Sequence, residues 1–176
     1  MENKFLNKQT VDKDDYAKFL FNLQQKLKEF SNRTEPKKEE DYYAFNYNPN
    51  IEGEEWKNIE GEGYSKYSVS NYGRVKYCGF IVPQKNKIDD NGKEMKEYLV
   101  LDKEKFGEMY KDVATNFNLS KDVFVYSLVA YAFLGKKEGD YLHVHHITND
   151  GYDNSVNNLI LLTKEEHSLV HSFKIG

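Results

Sequence analysis

Apolar side chains at Phe19, Leu20, Leu23, Leu27 and Phe30 recur three and four residues apart, with Lys and Gln between them. That spacing predicts an amphipathic helix from about Asp12 to Asn32. Its stripe either packs on the rest of the domain or serves a partner or a second copy of the chain. The polar run Thr34–Asp41 reads as a linker, with a soft boundary near residues 34–50. Beyond Glu54 the period changes to two: Tyr67 and Val69, then Val75 and Tyr77, predict short strands around an Asn71-Tyr72-Gly73 turn. Trp56 is expected to anchor the small core there. The lysine-containing stretch from Gln84 to Asn118 carries the turn signal Asp90-Asn91-Gly92, but its pattern does not decide between strand and helix. Val123 to Leu134 predicts a buried helix stopped by Gly135.

The C-terminal segment has the clearest text. Tyr141 to Ile147 is β-rich, Thr148 to Asn158 is a polar loop with Asp150-Gly151 as a turn, and Leu159 to Leu162 is a compact strand. Thr163 and Glu166 form a capping box that starts a helix. That helix carries His167 and His171 four residues apart, on one face. All five histidines of the chain lie in this segment: His143, His145, His146, His167 and His171. A hairpin packed on a helix can bring the strand-end pair to the helix pair. Three neutral imidazoles suit a divalent transition ion with a position left open, and His145, His167 and His171 are the expected ligands. His146 then remains as a general base suited to neutral pH. The Asn158 amide can hold the loop or orient that base. His143, two residues before His145, faces the same side and is a candidate for a phosphate contact or for supporting the site. Asp150 and Asp153 read as solvated loop carboxylates rather than ligands.

Composition narrows the setting. The 14 Tyr and 11 Phe can close a core with few residues. The single cysteine, Cys78, fits a reducing cytosol and is expected to be a small buried hydrophobe. No apolar run is long enough to span a bilayer, so a soluble intracellular protein is expected. The formal charge of −4 runs against a tight autonomous nucleic-acid binder. Positive groups must then be concentrated locally, or a partner must deliver the chain.

The stretch from His146 to Leu159 is similar to the H-I-D-G-N-x-x-N-N-x-x-x-N-L pattern of phage and intron-encoded HNH endonucleases. His146, Ile147, Asn154, Asn158 and Leu159 match. The upstream V-Y-S-L-V-A-Y-A-F-L-G resembles the segment that precedes the finger in those proteins, with Tyr126 where a histidine is usual. Further upstream, E-E-W-K-N-I and Y-S-V-S-N-Y-G-R-V resemble the NUMOD4-like module often fused before HNH. The resemblance implies an α+β chain with an N-terminal helix and linker over 1–50, a small β-rich DNA-engaging module over 51–120 and a ββα-metal finger over 121–176. It implies His146 as general base and Asn158 as the central asparagine. His145, with His167 and His171, resembles the all-imidazole site of colicin-type DNases, which implies one divalent ion (Zn²⁺, Ni²⁺, Mn²⁺ or Mg²⁺). Arg74 and Lys76, beside the Asn71-Tyr72-Gly73 turn, are candidates for contacts with the DNA backbone. The implied activity is hydrolysis of DNA phosphodiester bonds, in a bacterial host cytoplasm if the protein is phage-encoded. The alternatives are a non-catalytic zinc-stabilised module and a nuclease subunit of a larger phage DNA-processing complex.

Overall fold

In the computed structural model, residues 13–31, 51–61, 63–115, 117, 123–137 and 139–172 are described. The expected linker and its boundary lie outside them. The amphipathic pattern near the N-terminus forms α1 (Lys13–Ser31). Its Tyr16 and Leu20 are buried in an apolar cluster with Ile147, Ile160, Leu162 and Val170, and Phe19 and Leu23 pack at the edge. This part of the stripe therefore covers the back of the C-terminal hairpin. The side chains of Leu27 and Phe30, on which partner binding or self-association would draw, lie outside the described residues.

Four short antiparallel strands follow in spatial order: β1 (Trp56–Asn58), β2 (Tyr67–Ser70), β3 (Val75–Tyr77) and β4 (Phe80–Ile81). The undecided middle resolves into a hairpin, β5 (Gln84–Ile88) and β6 (Glu94–Leu101), followed by the short helices α2 (Lys103–Met109) and α3 (Lys111–Ala114). Asp89 closes the hairpin turn by accepting the backbone N–H groups of Asn91 and Lys93. The helix α4 (Val125–Phe133) ends as expected, with Gly135 at φ +72 and the Lys136 N–H on the Ala130 carbonyl. The last elements are β7 (His143–His146), β8 (Leu159–Leu162) and α5 (Lys164–Ser172).

One apolar cluster crosses the expected boundary near residue 120. It runs from Ile59, Tyr67, Val69, Val75 and Tyr77 through Leu99 and Phe106 to Val125, Leu128 and Leu159. Burying an aliphatic side chain such as Val69 or Leu128 stabilises the fold by about 1.5–3 kcal/mol. Tyr67, Tyr77, Phe106 and Phe117 pack ring against ring at its centre, with centroids 4.9–6.0 Å apart.

Two sequence expectations are corrected here. Trp56 is not a core anchor: it lies half-buried on edge strand β1, and its ring carries the Lys76 ammonium 4.0 Å from the centroid. Cys78 is exposed, at φ +50 in the tight β3–β4 turn with Gly79 at φ +85, because the two-residue connection places both turn residues outside the sheet.

Candidate active site

β7 pairs with β8 in antiparallel register, His143 opposite Leu162 and His145 opposite Ile160. The strand period puts His143 and His145 on one side of the hairpin and His146 on the other. The capping box at the start of α5 is closed on both arms: the Thr163 N–H donates to Glu166 Oε1 at 2.8 Å, and the Glu166 N–H donates to Thr163 Oγ1 at 3.2 Å. α5 therefore leaves the hairpin at a fixed angle, and its first turns carry His167 and His171 back over His145.

The result is a three-imidazole cluster. One ring nitrogen from each of His145, His167 and His171 lies within 4.8 Å of the others. The Nε2 atoms of His167 and His171 are 2.8 Å apart. His145 is only 3 % exposed, whereas His171 reaches solvent. Burial, followed by the neighbouring His167, His171 and His146, pushes the His145 imidazole down to about 3. Burial, His171 and His143 also hold His167 below the ordinary histidine range. Both rings thus favour the neutral form that a metal ligand requires. Nitrogens bound to a tetrahedral zinc ion at about 2.0–2.1 Å stand roughly 3.4 Å from one another. Small rotations of these side chains reach that spacing, so the donor set fits a divalent transition ion.

His146, at the end of β7, leaves the strand on the other side from His145 and still lines the same cleft. Its Nε2 lies 2.7 Å from Asn154 Oδ1, and the Tyr126 ring meets it edge-on at 5.4 Å. Burial lowers its affinity for a proton, opposed by Asn154 and by the carboxylates of Asp153, Asp150 and Glu97. Tyr126, in the place where the resembling proteins have histidine, is pushed up to about 12 by burial and stays a neutral phenol.

Asn158 is buried and grips the loop. Its Oδ1 accepts the Thr148 N–H at 3.0 Å and its Nδ2 donates to the Asp153 carbonyl at 2.8 Å. The amide that touches His146 is that of Asn154, a residue the sequence pattern matched without giving it a role. Asn158→Ala would orphan both loop groups, at about 1–3 kcal/mol each. A drop of that size in chemical denaturation is the expected result. Asp150 and Asp153 accept the N–H groups of Tyr152 and Ser155, so they cap turns and stay outside the histidine cluster.

The site opens into a cleft of about 550 Å³. Besides the histidines, Glu97, Tyr98, Ser127 and Lys136 line it. Glu97 and Tyr98 arrive there because β6 bulges: Asn86 pairs with Leu99 but Lys87 pairs with Met95. Glu97 takes φ +69 in that bulge, and its carbonyl packs against Gly151 so closely that a side chain at 151 would collide with it. No sequence signal announced this contribution.

The DNA-contact candidates fare differently. His143 is exposed beside the cluster, its Nδ1 3.4 Å from Nδ1 of His167. Lys76 is half-buried over Trp56. Arg74 is corrected: its side chain is fully buried, with Nε and Nη2 on the two carboxylate oxygens of Glu54, and the guanidinium has no surface to offer a phosphate. The tight β2–β3 turn draws Arg74 inward, where the Glu54 carboxylate meets it with two charge-assisted hydrogen bonds. Glu54→Ala would leave this charge buried without its carboxylate, and a loss of about 3–5 kcal/mol in urea denaturation is expected.

This hairpin–loop–helix, with a fourth histidine beside a cluster of three, has the arrangement of a ββα-metal finger. Residues 123–169 match the family model described as HNH endonuclease, and residues 54–98 match the NUMOD4 motif. The chain thus carries an HNH endonuclease domain with a NUMOD4 motif upstream. Among solved structures it is similar to a chain from a study of DNA binding and cleavage by the HNH homing endonuclease I-HmuI, at 23% identity and a TM-score of 0.37. That likeness covers 69% of this chain and 62% of the other. No curated protein matches. Among the described residues, no helix is long and apolar enough to cross a membrane.

Proposed function

We propose that this protein is a metal-dependent endonuclease that hydrolyses phosphodiester bonds in DNA. The observation that carries this reading is the pairing of a three-imidazole cluster with a separate histidine, His146, in one open cleft. A purely structural metal site has no use for the second group.

Under this reading His145, His167 and His171 hold one divalent ion, which supplies positive charge for the scissile phosphate and the leaving 3′ oxygen. His146 accepts a proton from water as the water oxygen bonds to phosphorus. The bond from phosphorus to the 3′ oxygen breaks and the departing oxygen takes a proton from solvent, leaving a 3′-hydroxyl and a 5′-phosphate. Asn158 keeps the loop closed so that His146 stays at the cleft. His143, at the exposed rim, and Lys76 are the positive or polar groups assigned to the DNA backbone. DNA as substrate rests on the HNH domain and its NUMOD4 motif.

Supercoiled plasmid incubated with purified protein and Mn²⁺, Ni²⁺, Zn²⁺ or Mg²⁺ tests the reading. Nicked circles that a ligase reseals without kinase treatment, and that EDTA prevents, are the expected products. Intact plasmid under every metal would refute it for the isolated chain. The charge of −4 favours a second reading, a nuclease subunit that a larger assembly brings to DNA.

A further inference from the structure

Asn154 links the upstream motif to the catalytic loop. Its side chain is buried, and Oδ1 stands 2.7 Å from Nε2 of His146. Its Nδ2 has no hydrogen-bond partner in the protein. No second hydrogen bond within the protein therefore anchors the amide, and packing must fix it. That packing comes from the β2–β3 turn. Gly73, at φ +87, lies so close that a methyl group there would stand 2.9 Å from the Asn154 carbonyl oxygen and 3.0 Å from its Cβ. Two residues further on, the Val156 N–H donates to the Asn71 carbonyl at 2.8 Å.

The turn is itself braced. Asn71 Oδ1 accepts the Glu55 N–H, Asn71 Nδ2 donates to the Gly53 carbonyl, and Gln84 Nε2 donates to the Gly73 carbonyl. Asn154 is thus positioned from the NUMOD4 segment rather than by the finger alone.

An oxygen acceptor at Nε2 decides which tautomer His146 adopts. With Oδ1 facing it, the ring would carry its proton on Nε2, donated to Asn154 Oδ1, and keep the lone pair on Nδ1. With the amide reversed, Nδ2 would donate to Nε2 and the proton would sit on Nδ1. Neither ring nitrogen could then accept a proton from water.

We propose that Asn154, held by the β2–β3 turn, is the positioning residue that keeps the His146 proton on Nε2 and leaves Nδ1 open for the proton of the attacking water. The upstream motif then has a part in catalysis that is independent of any contact with DNA. The proposal rests on the reading of His146 as the base.

The test uses the full chain with ¹⁵N-labelled histidine. Ring nitrogen NMR reads the tautomer, and nicking of supercoiled plasmid with Mn²⁺ reads the rate, in wild type, Asn154→Asp, Asn154→Leu and Gly73→Ala. Asn154→Asp keeps an acceptor oxygen, and should retain both the Nε2–H form and cleavage. Asn154→Leu should give mixed tautomers and a fall of about tenfold or more in rate, part of what a general base contributes, with Mn²⁺ affinity unchanged. Gly73→Ala should do the same by displacing Asn154 from a distance. A cleaving wild type whose His146 tautomer is indifferent to Asn154→Leu overturns this proposal alone. A wild type that shows the Asn154-controlled tautomer yet cleaves nothing overturns the nuclease reading, and the catalytic role of Asn154 with it.

Discussion

His146→Ala is expected to lower the rate of plasmid nicking by about 10²–10⁴-fold, the range a positioned general base contributes, while metal affinity stays at the wild-type level. The two effects should separate because the two groups of side chains stand apart. His146 lies on the opposite side of β7 from His145 and touches Asn154 and Tyr126 rather than the histidine cluster. Alanine there removes the proton acceptor and leaves every expected ligand in place. Isothermal titration with Zn²⁺ or Mn²⁺, run beside the nicking assay, checks both halves. A His146→Ala protein that nicks at the wild-type rate would show that another group takes the proton.

His167→Ala has the complementary expectation: metal binding and cleavage are lost together. His167 is the middle of the cluster, with its Nε2 2.8 Å from that of His171 and its ring centroid 5.2 Å from that of His145. Removing it leaves two imidazoles, too few where an open metal site usually takes three protein ligands. The fold should survive, since His167 is only half-buried and the capping box lies one residue before it. A circular dichroism spectrum like that of wild type, with metal affinity reduced by more than the ~10–100-fold that losing a ligand's hydrogen-bond partner costs, is the expected pair of results. Retained metal with lost cleavage would instead place His167 outside the ligand set.

Much of the finger could be read from the chain because its signals are local. The Thr163–Glu166 capping box, the four-residue spacing of His167 and His171, and the alternation through β7 each need only neighbouring residues. The same holds for the Asn71-Tyr72-Gly73 turn and for the glycine that stops α4. What the sequence hid depends on partners far along it. Arg74 looked like a surface cation because its carboxylate, Glu54, is twenty residues away. Trp56 looked like a core residue because nothing local marks β1 as an edge strand. Asn154 matched a pattern, but its contact with His146 exists only once the loop has folded against Gly73. Glu97 and Tyr98 reached the cleft through a strand bulge, which no periodicity in β6 predicts.

If one metal held by three histidines works with a separate base, a metal titration of activity will show it. Metal-free protein would be titrated with Mn²⁺ or Zn²⁺ while bound metal and plasmid nicking are measured in the same samples, for wild type and His146→Ala. Wild-type nicking should rise in step with occupancy and saturate at one ion per chain, while His146→Ala fills identically and stays silent. Full occupancy of the wild type without nicking, or nicking by His146→Ala at full occupancy, would contradict it.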